Sequence, residues 1–465
     1  MWKFATALLA LCPALAQAAQ MDGASLSLPW MLPFAGLLLS IALCPIFLPK
    51  FWHHHFGKVA AFWAAAFALP YALLAGWPAM GGVLWHALLE EYIPFLLLLF
   101  ALYTVSGGIL VWGNLHGSAK LNTGILALGT VLASVMGTTG AAMLLIRPLL
   151  KANDNRQHNV HVVVFFIFLV ANVGGGLTPL GDPPLFLGFL KGVDFMWTVE
   201  HMAAPVAFTS ALLLGLFYLL DRHYFTKEGV LPVDKTPDSA LKIYGKRNFW
   251  LLGAIVGLVL LSGMWRPGLV WSVFGVELAL QDLVRDLGLL AVALLSLKIT
   301  PAQVRAGNDF NWGPMQEVGK LFAGIFVAMA PALAILKAGS AGAMAGLVQL
   351  VSNPDGTPHD AMYFWLTGLL SAFLDNAPTY LVFFNLAHGD AAHMMGPLAS
   401  TLMAISAGAV FMGAMSYIGN APNFMVKAVA EDRGVKMPSF FGYMAWSVSC
   451  LLPVYILMTL VFFHY

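Results

Sequence analysis

The stretch VGGGLTPLGDPPLFLG, residues 173–188, places Asp182 inside a long apolar part of the chain. The residues before it, 160–173, are almost all apolar, and apolar sequence resumes up to Leu190. A carboxylate at membrane depth is costly, and the glycines and prolines around it interrupt a helix that carries it. The stretch therefore predicts a broken helix with a charged residue at the break.

Composition indicates the class of protein in which this break occurs. The chain has 465 residues, of which 60% are hydrophobic and only 10% are charged. Soluble domains contain about 25% charged residues, whereas apolar segments of about 20 residues, long enough to span a bilayer, recur along this chain. We expect an all-α polytopic membrane protein whose main surroundings are the lipid bilayer. No basic run suggests nucleic acid, and the three cysteines lack the spacing of a disulfide framework or zinc site.

The first residues require separate treatment. Lys3 is followed by a short apolar run to Ala16 and then by Ala-Gln-Ala at 16–18. This order is typical of a secretory signal peptide, so we predict that residues 1–18 are removed. An uncleaved N-terminal anchor is the alternative.

The apolar segments divide into two sets of six around one polar stretch. We predict a first repeat over 28–221, a cytoplasmic linker over 222–248 and a second repeat over 249–463. In each half the fourth and fifth segments contain internal Gly, Pro, Asn or Asp. These interruptions predict a re-entrant hairpin and a broken helix in each half.

The distribution of basic residues predicts the orientation. With a periplasmic mature N-terminus and re-entrant hairpins, 18 Lys and Arg lie in cytoplasmic stretches and four lie on the opposite side. Positive residues concentrate on the cytoplasmic side of membrane proteins. We therefore expect a multi-pass protein of the bacterial inner membrane with two halves of inverted topology.

Two internal matches support the repeat. SVMGTTGAAMLL (134–145) aligns with SAFLDNAPTYLV (371–382) at a shift of 237, and GGLTPLGDPPLF (175–186) aligns with GAMSYIGNAPNF (413–424) at a shift of 238. Asp182 then corresponds to Asn420, and Thr178 corresponds to Ser416. Inverted repeats with interrupted segments in matching positions indicate a transporter site near the bilayer midplane.

The residues at the four interruptions favour a cation site. They include two carboxylates and no Lys or Arg, and hard cations such as sodium prefer oxygen ligands. An intramembrane aspartate can also relay protons. Capping of the following half-helix is the alternative role for either aspartate. The candidate ion and proton ligands are Asp182, Asp375, Asn376, Asn420, Asn423, Thr138, Thr139, Thr178 and Ser416.

The motifs ANVGGGLTPLGDPP (171–184) and FLDNAPTYLVFF (373–384) resemble those of the ion transporter superfamily. Within it they are most similar to NhaD-type sodium/proton antiporters and to their arsenite-permease and citrate-transporter relatives. The resemblance implies a homodimer, a scaffold and a transport domain in each protomer, and elevator-like exchange of sodium or lithium for protons. It makes Asp182 and Asp375 sodium and proton ligands, with the hairpin-tip threonines, including Thr379, beside them, and it implies no cofactor.

Other functions stay open on the sequence alone. GTTGAA (137–142) lacks the aspartate-asparagine pair that many of these relatives have in the first hairpin, and both hairpins lack the Ser-Asn-Thr tips of the carboxylate transporters. The main alternative is a proton- or sodium-coupled carboxylate transporter of the citrate type. An arsenite permease, a channel and an intramembrane enzyme are further alternatives, although no His-Glu-x-x-His or Gly-x-Ser-x-Gly motif occurs. Separately, the charged stretch 265–286 predicts an amphipathic interfacial helix.

Overall fold

The computed structural model describes residues 21–229 and 239–463. In this part of the chain, seven helices are long and apolar enough to cross a membrane. An eighth is counted if Gly313–Ala328 and Ala330–Lys337, which meet at a bend of 45°, form one span. The prediction of an all-α polytopic membrane protein is confirmed. The proposed signal peptide lies outside the described residues.

The first half contains nine α-helices in the described residues. They are α1 (Leu32–Phe47), α2 (Pro49–Ala75), α3 (Trp77–His86), a π-helical turn (Ala87–Tyr92), α4 (Ile93–Ser106), α5 (Ala119–Met136), α6 (Thr138–Ala152), α7 (Val160–Leu169), a 3₁₀ turn (Val173–Gly176), α8 (Pro183–Leu190) and α9 (Phe195–Glu228).

The second half contains twelve α-helices in the described residues. Its helices are α10 (Arg247–Met264), α11 (Leu280–Ile299), α12 (Ala302–Gly307), α13 (Gly313–Ala328), α14 (Ala330–Lys337), α15 (Ala345–Leu350), α16 (Asp360–Phe373), α17 (Asn376–Leu386), α18 (Ala391–Met395), α19 (Ala399–Met412), a 3₁₀ turn (Gly413–Met415), α20 (Ala421–Asp432) and α21 (Phe440–Phe462). A short 3₁₀ turn, Gly339–Ala341, lies between α14 and α15.

The helices pack as two groups, which we name the scaffold group and the central group. The scaffold group consists of α1–α4, α10, α11, α13 and α14. In it, α2 packs on α13 and α4 packs on α11, so helices from the two halves of the sequence contact each other. The central group comprises the hairpins α5–α6 and α16–α17, the broken helices α7–α8 and α19–α20, and the long helices α9 and α21. This grouping places the four interrupted segments together.

Burial distinguishes the broken helices from the outer ones. Every residue from His161 to Leu169 of α7 is buried, as expected for a helix that is apolar on all sides. The outer helices instead expose apolar side chains such as Leu73 at 78% and Trp250 at 84%. In a bilayer these side chains face lipid.

The described residues also contain two short antiparallel sheets of two strands each. Strands β1 (Leu110–Asn114) and β2 (Ser239–Tyr244) pair, so the chain that follows the undescribed residues 230–238 folds back onto the first half. Strands β3 (Val270–Val273) and β4 (Val276–Ala279) form the second sheet, which is a hairpin. The predicted amphipathic helix over 265–286 is therefore wrong over most of its length. β-branched and aromatic residues around the Phe274–Gly275 turn, which has positive φ at both positions, favour strands there.

Glycines allow the chain to fold back at both breaks. A Cβ at Gly181 would lie 2.3 Å from the carbonyl oxygen of Gly175, and a Cβ at Gly419 would lie 2.5 Å from that of Gly413. Both contacts are far inside van der Waals distance, so a side chain cannot be accommodated without movement of the backbone. The two breaks thus have the same close approach, 238 residues apart.

Candidate functional site

Four irregular points of the central group meet at the carboxylate of Asp182. Thr138 Oγ1, at the start of α6, donates to Asp182 Oδ1 at 3.0 Å. Asn420 Nδ2, from the break between α19 and α20, donates to the same oxygen at 3.2 Å. Asn376 Nδ2, at the start of α17, donates to Asp182 Oδ2. Each hairpin and the other broken helix therefore supplies one donor to the aspartate of the first broken helix.

The site is buried and has no positive side chain in contact with the carboxylate. Asp182 is 2% exposed, and each of its three side-chain partners is also buried. Within the described residues, neither Asp182 nor Asp375 takes part in an ion pair. A buried charge without a counter-charge is unfavourable, and intramembrane carboxylates of this kind mark ion pathways and proton relays.

The donors are arranged by the internal repeat. Thr138 and Asn376 are 238 residues apart, and so are Asp182 and Asn420. Thr138 and Asn376 both begin the second arm of a hairpin, just after the turn. Asp182 thus accepts hydrogen bonds from its equivalent, Asn420, and from both Thr138 and Asn376, which are equivalent to each other. The shift of 238 found for the broken helices therefore relates both pairs, whereas the hairpin alignment at 237 had paired Thr138 with Asp375.

We name the hairpin α5–α6 hairpin 1 and the hairpin α16–α17 hairpin 2. Hairpin 1 turns at Gly137, which has φ of +78°. That conformation is unfavourable for residues other than glycine. The next residue, Thr138, donates a backbone hydrogen bond from its N–H to the Gly181 carbonyl at 2.9 Å. The equivalent residue in hairpin 2 is Asp375, with φ of −60°. The tip of hairpin 1 is therefore fixed to the first break by its backbone, which orients the Thr138 hydroxyl toward Asp182.

Asp375 has a different environment from Asp182. Its Oδ1 accepts a hydrogen bond from Ala377 N–H at 3.0 Å and caps α17. Asp182 occupies the equivalent N-cap position of α8 but makes no side-chain capping bond. Capping, which the sequence offered as an alternative role for either aspartate, is found for Asp375 and is not found for Asp182.

Thr178 and Ser416 connect the breaks to the hairpins by hydrogen bonds. The Thr178 hydroxyl donates to the Ser134 carbonyl and accepts from Leu180 N–H at 3.1 Å. The Ser416 hydroxyl donates to the Ala372 carbonyl and accepts from Ile418 N–H at 3.2 Å. These candidate ligands thus have matching backbone partners in the two halves, and they hold each break against the first arm of its own hairpin.

The remaining predicted ligands lie near the tips without contacting Asp182 directly. Thr379 Oγ1 donates to the Asp375 carbonyl at 2.9 Å, one turn back along α17. Thr139, next to Thr138, is half-buried and is not among the donors to Asp182 in the described structure. These threonines are positioned to shape the hairpin tips.

Asn172 is a site residue that the sequence reading missed. Its Nδ2 donates to Asn423 Oδ1 at 2.7 Å, and its Oδ1 accepts from Asn420 Nδ2 at 3.3 Å. Asn423 in turn donates to the Gly413 and Ser416 carbonyls, both at 2.9 Å. Asn172 therefore links the two breaks behind Asp182. An asparagine at the end of the apolar run 160–171 was the available signal.

The fold and this site together define a class. Within the described residues, a multi-pass helical chain brings two hairpins and two broken helices to one buried carboxylate, the arrangement found in secondary transporters. The chain belongs to the CitMHS_2 family, described as "Putative citrate transport", whose model matches residues 23–463. The family's description therefore names transport, not catalysis. A comparison with curated proteins found no match to the chain.

Proposed function

We propose that this protein is a secondary active transporter that exchanges sodium, or lithium, for protons, and that both ions use Asp182. The surroundings of Asp182 are the observation that carries the proposal. It is buried, it accepts hydrogen bonds from three neutral side chains, and in the described structure it has no cationic partner. Such a group is suited to hold a small cation or a proton.

The same three partners can serve each state of the carboxylate. Ionised Asp182 accepts hydrogen bonds from Thr138, Asn376 and Asn420. A protonated Asp182 has an O–H to donate, and an asparagine amide can turn to offer its carbonyl oxygen instead. The same rotation presents oxygens to sodium, which prefers such ligands. A proton and a sodium ion then compete for one carboxylate, so the apparent sodium affinity improves as pH rises.

Asp375 contributes a second negative charge close to the entrance of the site. It is only partly buried and directly precedes Asn376, which contacts Asp182. We assign it to the attraction of cations in addition to its capping of α17. Its contacts favour a supporting role, because its carboxylate already accepts a backbone N–H and is not among the groups bonded to Asp182.

The packing of the two helix groups supports alternating access. All three side chains that donate hydrogen bonds to Asp182 belong to the central group, so the site can move as a unit against the scaffold group. Lys191, directly after α8, pairs with Glu91 in the π-helical turn, and Arg147 of α6 pairs with Asp309 at 3.1 Å. The first ion pair joins the two groups, and the second joins the central group to the loop before α13. Both must break if the central group moves in an elevator-like manner.

The orientation and assembly complete the proposal. The 18 to 4 distribution of basic residues supports a periplasmic mature N-terminus in the bacterial inner membrane. The resemblance to NhaD-type antiporters supports a homodimer. Residues 28–221 and 249–463 are proposed as inverted repeats, joined by a cytoplasmic linker.

Everted membrane vesicles provide the test. A proton gradient is imposed, and sodium, lithium, potassium or citrate is added in turn to vesicles that contain wild type, Asp182→Asn or Asp355→Asn. Asp355 is an exposed loop aspartate outside the central group. We expect sodium or lithium to dissipate the gradient with wild type and with Asp355→Asn, but not with Asp182→Asn. Normal sodium-dependent proton flux in the Asp182→Asn protein would remove that residue from the mechanism.

Citrate-type carboxylate transport is the second candidate, and the family description favours it. No basic side chain contacts Asp182 in the described structure, so a sodium ion held there would have to supply the positive charge that a carboxylate substrate needs. In the same vesicles, this function predicts proton movement that requires citrate. Sodium alone would then have no effect on the gradient.

A further inference from the structure

We infer that a second site, remote from Asp182, binds a phosphate group at the end of the molecule where α6 and α20 terminate. A cavity of about 630 Å³ lies between the α6–α7 connection and the α20–α21 connection. Its lining includes four cationic residues, Lys151, Arg156, Arg433 and Lys436, and one acidic residue, Asp154. Sodium/proton exchange at Asp182 does not account for this cavity.

The local fold explains why Arg433 and Lys436 border the cavity. Helix α20 ends with Gly434 N–H bonded to the Glu431 carbonyl at 2.9 Å and Val435 N–H bonded to the Ala430 carbonyl at 3.0 Å. These bonds form a Schellman motif, and Gly434 has the positive φ, +87°, that the motif requires. Val435 is buried, which anchors the turn, while Arg433 and Lys436 on either side of it are exposed.

Arg156 forms part of the opposite wall and is fully buried. Its Nη1 contacts Asp221 Oδ1 at 2.6 Å, and its Nε contacts Glu228 Oε2 at 3.1 Å, so α9 neutralises its charge. Its Nη2 is buried and has no hydrogen-bond partner in the described residues. Buried donors without a partner are rare and costly. Because the side chain has no exposed surface, an anion in the cavity would reach this donor only after a small turn of the guanidinium.

The balance of charge favours an anion even when Arg156 is counted as neutralised. Asp221 and Glu228 exceed the charge of Arg156 by one, so together with Asp154 they leave one net positive charge from Lys151, Arg433 and Lys436 among the described residues. The first turn of α7 also borders the cavity at Asn159 and Val160, and Asn159 makes no side-chain cap. The positive end of a helix dipole reinforces anion binding beside cationic side chains.

Two sources could deliver this phosphate group. Basic pockets at the cytoplasmic membrane surface bind the head groups of anionic lipids, and a soluble phosphate would use the same contacts. The chemistry of recognition is the same in both cases. We therefore propose a site for a phosphate group and let experiment distinguish a lipid from a soluble anion.

The test uses the purified full-length protein, the double variant Arg433→Gln/Lys436→Gln and the control Lys427→Gln. Lys427 is a cation of the same helix, pairs with Glu431 at 2.6 Å and is outside the cavity lining. Inorganic phosphate is titrated into protein in detergent by calorimetry, and thermal unfolding is compared in nanodiscs of phosphatidylglycerol and of phosphatidylcholine. Unfolding in detergent without phosphate establishes that each variant is folded.

Either of two results supports the site. Phosphate binding that weakens at least about tenfold in the double variant, a loss of about 1.4 kcal/mol, but not in Lys427→Gln, indicates a soluble anion. Stabilisation by phosphatidylglycerol that the double variant alone loses indicates a lipid head group. Binding of neither probe by wild type, or equal effects in the double variant and wild type, would overturn the inference. Sodium-dependent proton flux is independent of each of these outcomes.

Discussion

Asp182 and Asn420 occupy equivalent positions in the two halves, 238 residues apart, and are joined directly by a hydrogen bond of 3.2 Å. One half thus supplies the charge and the other half supplies a neutral side chain of the same shape. Two carboxylates at these positions would repel each other, whereas an aspartate and an asparagine can share a hydrogen bond in either protonation state. The difference between the halves at this one pair gives the site a single negative charge at its centre.

Removal of the Asn420 donor should weaken sodium binding. A hydrogen bond to a charged group contributes about 1.5–3 kcal/mol, so we expect Asn420→Ala to raise the sodium concentration for half-maximal proton flux by about 10- to 100-fold. Asn385→Ala is the matched control, since Asn385 Nδ2 donates only to the Leu381 carbonyl of its own helix. Equal sodium dependence in the two variants would show that Asn420 has no part in ion binding.

Asp375 should tolerate loss of its charge better than Asp182. Asparagine keeps the oxygen that caps α17, so Asp375→Asn should unfold at the same temperature as wild type and retain reduced exchange. Asp375→Ala loses the cap, which costs about 0.5–2 kcal/mol, and its unfolding temperature should fall. Thermal unfolding and vesicle proton flux measure the two effects. Complete loss of exchange in a stable Asp375→Asn protein would instead give Asp375 the primary role in ion exchange.

Much of the site could be predicted because its residues depart from the apolar pattern expected of a membrane-spanning helix. Asp182, with glycines before it and prolines after it, contradicts the apolar pattern around it, and the self-match identified Asn420 and hairpin 2. The sequence could not predict which hydroxyls bond to the carboxylate. Thr178 and Ser416 bond to backbone carbonyls instead, and this depends on how each break packs against its hairpin.

The hairpin β3–β4 shows a second limit of sequence patterns. The charged stretch 265–286 predicted an amphipathic helix, but the helix α11 begins only at Leu280. Phe274 at the turn stacks on Trp85, with ring centroids 4.4 Å apart. A contact between residues so distant in sequence cannot be deduced from a local pattern.

A methyl group at Gly181 should destabilise the protein. Its Cβ would lie 2.3 Å from the Gly175 carbonyl oxygen, and overpacking of this kind costs about 1–3 kcal/mol. Gly215→Ala is the control, because a Cβ at that position in α9 has no neighbouring atom within 4 Å and alanine is the better helix former. We expect the midpoint of thermal unfolding in detergent to fall for Gly181→Ala and to stay the same or rise for Gly215→Ala. A Gly181→Ala protein as stable as wild type would contradict the packing at the break.

A cross-link between the helix groups should stop transport if the central group moves. In a protein whose native cysteines are replaced by serine, Glu91→Cys/Lys191→Cys replaces the ion pair that joins the groups. Oxidation should abolish proton flux, and a reductant should restore it. The control is Asp360→Cys/Thr401→Cys, which replaces a 2.6 Å contact inside the central group. Undiminished flux in fully cross-linked Glu91→Cys/Lys191→Cys protein would rule out relative motion of the groups at this contact.

The number of protons released per sodium ion bound is the most direct test of competition at Asp182. Calorimetric titration of the purified protein with sodium, in buffers of different ionisation enthalpy, gives this number. Near the pH at which the Asp182 carboxylate of wild type is half-protonated, we predict that sodium binding to wild type releases a substantial fraction of a proton. In Asp182→Asn we predict the loss of both sodium binding and proton release. Sodium binding by Asp182→Asn with wild-type affinity and undiminished proton release would contradict the account.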